Sequence, residues 1–224
     1  MDGHQYTLVL SHDIDSVYSG WLQDGYVALK NGNLGKAVEI FLNKLQGKDP
    51  WFNIEEILRF EQNHDVSSTF FFLPTQEEQN GIKHADYSIE DPAIKNSMNL
   101  IAEAGSEIGL HGDYEAHQSA GAMARSIQQI NRPLQGNRFH YLMYNVHKTP
   151  GLLANSGLAY DSTLGFSEHI GFRNGYCHPF YLYDLQKNQL TDILEFHSLS
   201  WTPPSIMKNI WASPRMKLRK KYNP

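Results

Sequence analysis

The run Leu8-Val9-Leu10-Ser11-His12-Asp13-Ile14-Asp15 ends in two carboxylates one residue apart. Successive side chains of an extended strand face opposite ways, so this spacing puts Asp13 and Asp15 on one side and His12 and Ile14 on the other. Two acids that close repel unless a proton or a cation lies between them. A divalent metal relieves the repulsion by taking one carboxylate as ligand and leaving the other to move protons. The ordinary alternative is a strand running into an Asp-rich turn, so the rest of the chain has to decide. Cys177 is the only cysteine, which excludes an intrachain disulfide and a thiolate metal cage. Any metal must therefore rest on carboxylates and on the 11 histidines.

The elements that would position these groups follow from periodicity. Residues 6–11 read as a first strand with the two acids at its end. Residues 17–46 turn helical after and before a break at Asn31-Gly32-Asn33, with Ala37, Val38, Phe41, Leu42 and Leu45 spaced as a core-packing face. Asn53 and Glu56 make a capping box, with Phe52 and Ile57 as its hydrophobic staple, opening a helix over 54–63. Residues 67–73 (SSTFFFL) fit a buried strand, and 75–90 a polar surface loop. Asp91-Pro92 opens a helix that Gly105 stops, with Ile94, Met98 and Ile101 inward. Strands are expected at 107–110, 137–142, 158–163 and near 193–196, and helices at 122–130 and briefly at 152–156. Strands alternating with helices in this way argue for a parallel α/β sheet, open or closed into a barrel.

In parallel α/β barrels functional groups gather where strands end. Asp13 and Asp15 end strand one, His111 strand three, Arg138, His140 and Tyr141 strand four, and Asp161 strand five. A rim of carboxylates, imidazoles and one guanidinium without cysteine is the donor set of zinc, or a similar divalent ion, with an open coordination position.

LSHDID, EIGLHGDYEAH, NRFHYL and LAYDSTLGF, in that order and spacing, resemble the polysaccharide deacetylases, the NodB-homology or carbohydrate esterase family 4 group, and SEHIGFRNGYCHPF resembles a loop of one branch. The resemblance spans roughly residues 6–196. It implies a distorted (β/α) barrel and metal-dependent removal of acetyl groups from N-acetylated, or O-acetylated, polysaccharide, a hydrolysis at a carbon–nitrogen bond that is not a peptide. It also implies Asp13 as base and Asp15 as metal ligand. The family's second motif places two metal histidines four apart; here His111 matches, but Glu115 stands four on and His117 six on. A helix turns through about 240° in six residues, so His117 would face away unless the segment is a loop. The third motif, Arg-x-Pro-Tyr, is matched by Arg138-Phe139-His140-Tyr141 with His in place of Pro. Arg138 then orients Asp13, the Tyr141 N–H meets the oxyanion, and His140 competes with His117 for third ligand, His140 being favoured. The general acid, a histidine on a late strand in the family, is loosely matched by His197. Asp161, His169 and Arg173 are expected to line the substrate groove. Tyr144, Phe166, Phe172, Tyr176 and Phe180 offer faces for stacking on sugars.

Lys and Arg number 19 against 24 Asp and Glu, and Arg215, Lys217, Arg219, Lys220 and Lys221 fall in the last ten residues. An acidic body of this kind argues against a nucleic-acid footprint. No stretch is long and apolar enough to span a bilayer, and Met1-Asp2-Gly3-His4 has neither the basic nor the apolar region of a signal peptide, which leaves a cytoplasmic default. Residues 1–197 read as the catalytic domain and 198–224 as a divergent or truncated basic tail without the strands that would close a barrel. The rival reading is a carbohydrate-binding relic that keeps the fold without turnover.

Overall fold

The computed structural model describes residues 8–167 and 170–198. Strands β1 (Leu10–Ile14), β2 (Ser68–Phe72), β3 (Glu107–Gly112), β4 (Gly136–Phe139), β5 (Tyr160–Asp161), β6 (Phe180–Asp184) and β7 (Gln189–Glu195) form one sheet in the order β1-β2-β3-β4-β5-β7-β6. All neighbours are parallel except the β6–β7 hairpin. Between the strands run α1 (Gly20–Lys30), α2 (Leu34–Leu45), α3 (Ile54–Gln62), α4 (Pro92–Glu103), α5 (Tyr114–Gln118), α6 (Ala120–Ile130) and α7 (Thr149–Ala154). None of these helices is long and apolar enough to cross a membrane.

The two faces of the sheet differ in chemistry. One carries Ile14, Phe70, Phe72, Ile108, Leu110 and Phe139, all buried in one cluster with Ile54 and Leu58 of α3, Ile94, Met98 and Ile101 of α4, and Met123 and Ile130 of α6. Helix α4 is set by its ends: Asp91 accepts from the Ala93 N–H at 2.9 Å with Pro92 behind it, and Gly105 at φ +77° releases the chain. The alternate face carries Asp13, Phe71, Gly109, His111, Arg138 and Ser162. Contacts on it skip strands: Arg138 of β4 bonds Asp13 of β1, and Tyr160 of β5 bonds Glu107 of β3 at 2.8 Å. At about 4.8 Å per strand, β1 and β4 of a flat sheet lie about 14 Å apart, so the Arg138–Asp13 contact is drawn in by curl of the sheet toward this face. Gly109 and Gly136 provide the room, since a Cβ would stand 2.5 Å from the Phe71 ring at the first and 2.1 Å from Tyr160 at the second.

Several boundaries move from the sequence expectation. β1 runs to Ile14 because its pairing with β2 continues to Ile14 opposite Phe72, so Asp13 lies inside the strand and Asp15 just past it. β4 stops at Phe139, and His140–Leu142 form a 3-10 turn in which Tyr141 and Leu142 both take positive φ, 56° and 51°. The tract ending at Phe180, which resembles a family loop, leads into a strand, Phe180–Asp184, that was not expected. In α2 only Ile40 is buried; Val38, Phe41, Leu42 and Leu45 are half-exposed or more, against the expected core role. α1 and α2 are a helical pair attached to the body through their ends, where Gly20 sits against Asp49 and Trp51 and the Trp21 N–H donates to Asp49. Asn53 precedes α3 as expected, but its side chain makes no capping bond.

Of the expected surface loop over 75–90, residues 76–83 are mostly exposed, but 84–89 are pinned into the core. Tyr87 is 1% exposed; its hydroxyl donates to the Ile14 carbonyl at 2.6 Å and accepts from the Leu73 N–H at 3.0 Å, joining the ends of β1 and β2. Asp86 accepts from the N–H groups of Val17 and Tyr18 at 2.8 and 2.9 Å. Of the expected tail, Ser198 bridges to Gly165 and residues 199–224 lie outside the described ones.

Candidate metal centre

Asp15, His111 and His140 bring one ligand atom each within 4.8 Å of one another. His111 Nε2 stands 3.1 Å and His140 Nε2 3.8 Å from Asp15 Oδ1. Ligands held at 2.0–2.1 Å around a tetrahedral ion are about 3.3 Å apart, so the spacing fits. Asp15 Oδ1 is buried and meets no aligned hydrogen-bond donor, although the side chain as a whole is 39% exposed. A buried, charged oxygen left without a donor is costly unless a cation meets it.

Each ligand is held from behind. Asp15 lies between Ile14, whose carbonyl is held by Tyr87, and Val17, whose N–H is held by Asp86. His111 ends β3, and its Nδ1–H donates to the Arg138 carbonyl at 2.7 Å, which leaves Nε2 facing Asp15. His140 follows β4 directly and turns its Nδ1 toward His84 Nδ1 at 3.1 Å.

The charges agree with this arrangement. Burial opposes ionisation of Asp15, but the adjacent His111 and the charges of His140 and Arg138 outweigh it and hold the carboxyl below its usual value. Burial likewise disfavours the His111 imidazolium, yet Asp13 and Asp15 together raise its pKa. His140 goes the other way, to about 4, through burial and the charge of His111. The carboxyl of Asp15 is thus pushed toward its ionised form and the His140 imidazole toward its neutral one, while the two nearby carboxylates favour positive charge at His111.

Asp13 stands next to this group without joining it. Arg138 Nη1 donates to Asp13 Oδ1 at 2.7 Å, and both side chains are nearly buried. The guanidinium is fixed on its other edges by the Ser162 carbonyl at 3.0 Å and the Ser162 hydroxyl at 2.8 Å, and lies 4.6 Å from the centre of the Phe71 ring.

The other expected site residues fall elsewhere. His117 is on α5, with Nε2 3.2 Å from the Thr149 hydroxyl and its ring against Phe139, on the helix-packed side of the sheet. Of the two histidines weighed as third ligand, His140 is the one in the group. Tyr141 is 66% exposed, and its ring lies 4.2 Å from that of His140. Arg173 donates to the Leu142 carbonyl at 3.0 Å and so ties its loop to the turn after β4. His197 packs against Phe180 and Phe172, with both ring nitrogens buried and unpaired, and burial lowers its pKa. It is not among the three clustered ligands. Asp161 is fully buried, accepting from Asn137 at 2.6 Å and from the Thr163 hydroxyl at 2.9 Å. It faces Glu195 across β5 and β7. Burial raises both carboxyls, and the charge of Asp161 raises Glu195 further. Asp161 therefore shapes the sheet and is closed to a groove. His169 lies outside the described residues.

Sequence reasoning missed Gln79, His84, Asp86, Tyr87 and Ser162. Asn80-Gly81 was the available signal for the first two: both residues take positive φ, 52° and 76°, in a two-residue turn closed by Gln79 and Ile82. No protein-family model and no curated protein matches this chain.

Proposed function

We propose that this chain is a metal-dependent hydrolase that removes acetyl groups from an N-acetylated or O-acetylated polysaccharide, built on the distorted barrel of the polysaccharide deacetylases. One observation carries the reading: Asp15, His111 and His140 converge as an open set of three ligands beside a separate carboxylate, Asp13, that is held by Arg138. The curl of the sheet toward that face supports the barrel part of the reading, although β1 and β6 are unpaired with each other among the described residues.

Asp15, His111 and His140 would hold the ion, zinc by the character of the donors. When bound, such an ion polarises an acyl carbonyl and acidifies water. Asp13 accepts the proton of the attacking water, and Arg138 fixes the carboxylate in the orientation that this requires. The main-chain N–H of Tyr141, in the strained turn beside His140, donates to the oxygen of the tetrahedral intermediate. The resemblance gives protonation of the leaving amine to a late-strand histidine, for which His197, packed against Phe172 and Phe180, is the counterpart.

The test is acetate release from a panel of acetylated glycans, such as N-acetylglucosamine oligomers and acetylated xylan, by wild type and Asp13→Asn. Asp13→Asn is expected to keep its zinc and lose about 10²- to 10⁴-fold in rate. A zinc-loaded wild type that binds glycans yet releases no acetate would instead favour the carbohydrate-binding relic. Equal rates in wild type and Asp13→Asn would reject Asp13 as base.

A further inference from the structure

His84, in the pinned segment between β2 and α4, is 8% exposed and reaches the back of His140. The shorter hydrogen bonds behind it fix the direction of the chain. Gln79 Oε1 accepts from the Glu115 main-chain N–H at 3.0 Å, and a backbone N–H can only donate, so the atom at that position is the oxygen of the amide. His84 Nε2 lies 2.9 Å from the same oxygen and must donate to it. The Tyr114 N–H also approaches His84 Nε2, at 3.5 Å, too long to compete with that bond. With its proton on Nε2, neutral His84 presents a bare Nδ1. His140 Nδ1, 3.1 Å away, must then carry the proton between them, and His140 Nε2 is left with a free lone pair on the side of Asp15.

We propose that His84 is a positioning residue of the metal centre: together with Gln79 it sets the tautomer and ring orientation of His140, so that Nε2 is the ligating atom. The inference rests on the reading of Asp15, His111 and His140 as metal ligands. Its role parallels that of the Arg138 carbonyl behind His111, but the acceptor here is a side chain. The scaffold of that side chain is built for fixity: the Asn80-Gly81 turn holds Gln79, Asn80 donates to the Tyr114 hydroxyl at 3.0 Å, and the Ala85 N–H donates to the Thr75 carbonyl at 3.1 Å. Partners of this kind typically contribute 10- to 100-fold to metal affinity.

The experiment has two arms on the full chain. In metal-free wild type, long-range ¹H–¹⁵N correlation NMR of the histidine rings should find His140 protonated at Nδ1 and His84 at Nε2; His140 protonated at Nε2 overturns the proposal. In the second arm zinc affinity is measured by chelator competition for wild type, His84→Leu and His84→Asn, with circular dichroism to establish that each is folded. His84→Leu should bind zinc about 10- to 100-fold more weakly. His84→Asn, whose Oδ1 offers an acceptor close to the position of Nδ1, should recover most of that loss. Zinc affinity unchanged in folded His84→Leu, or lost equally in both variants, overturns the role of His84 while leaving the metal centre standing. A wild type that takes up no zinc overturns the metal reading, and this proposal with it.

Discussion

His140 and His111 are neighbours with opposite titration behaviour, and this gives the centre a measurable signature. The folded state holds His140 at about 4 against an ordinary 6.5, so it contributes stability above pH 6.5 and loses it as pH falls toward 4. The shift corresponds to about 3 kcal/mol for a group this buried. His111, raised by Asp13 and Asp15, works in the other sense: its contribution is complete below its ordinary value and is lost as pH rises through the raised one. In chelator-treated protein the urea midpoint is expected to fall between pH 6.5 and pH 4, and to fall less steeply in His140→Gln; equal slopes would remove His140 from that role. At this scale the sequence was most legible where chemistry and spacing coincide. Asp13, Asp15, His111 and Arg138 lie in or just past the last residues of their strands, and of the two histidines weighed His140 is the one clustered with Asp15 and His111. Asp161 was not legible, because whether a carboxylate near a strand end opens to a groove or to the core depends on which face it takes. For Gln79 and His84 the Asn80-Gly81 pair marked a turn, but a turn signal does not say which distant side chain its residues will meet.

The segment between β2 and α4 behaves as an element, although it is neither helix nor strand. Tyr87 joins β1 to β2 through one hydroxyl that both donates and accepts. Tyr87→Phe leaves the buried Leu73 N–H without an acceptor, a loss of about 1–3 kcal/mol, and urea unfolding should register it as a lower midpoint. An unchanged midpoint would mean that solvent replaces the hydroxyl. The segment was read as surface because its residues are polar and aperiodic, yet Ala85, Tyr87 and Ile89 are buried and its polar groups are spent on the ends of β1 and α1. The helices and strands with strong periodicity or caps were legible to within a few residues, as α4 and β2 show. The α2 error had a different source: amphipathic spacing reports that a face is apolar, not what covers it.

At the scale of the whole molecule, alternation of strands and helices was enough to anticipate a mostly parallel sheet with a late strand near 193–196, whereas β6 and the hairpin it makes with that strand break the alternation and were missed. The three ligands come from the ends of β1, β3 and β4, so they meet only when the sheet is assembled. A ligand that binds only the folded state stabilises it by about 2.7 kcal/mol at a free concentration 100 times its Kd. For a domain of this size that is a rise in Tm of about 5–10 °C. Zinc should therefore raise the melting temperature of the wild type by that amount and leave Asp15→Ala unchanged; an equal rise in both would place the ion elsewhere. The Asp13–Arg138 pair joins positions 125 residues apart, with β2 and β3 between them. Such a contact can close only after four strands have found their register, which puts the site among the last things the chain makes as it folds. Interactions absent from the folding transition state act on the rate at which the native state comes apart. The pair, and any ion beside it, thus sets how long the molecule lasts once formed and has little hold on how quickly it forms.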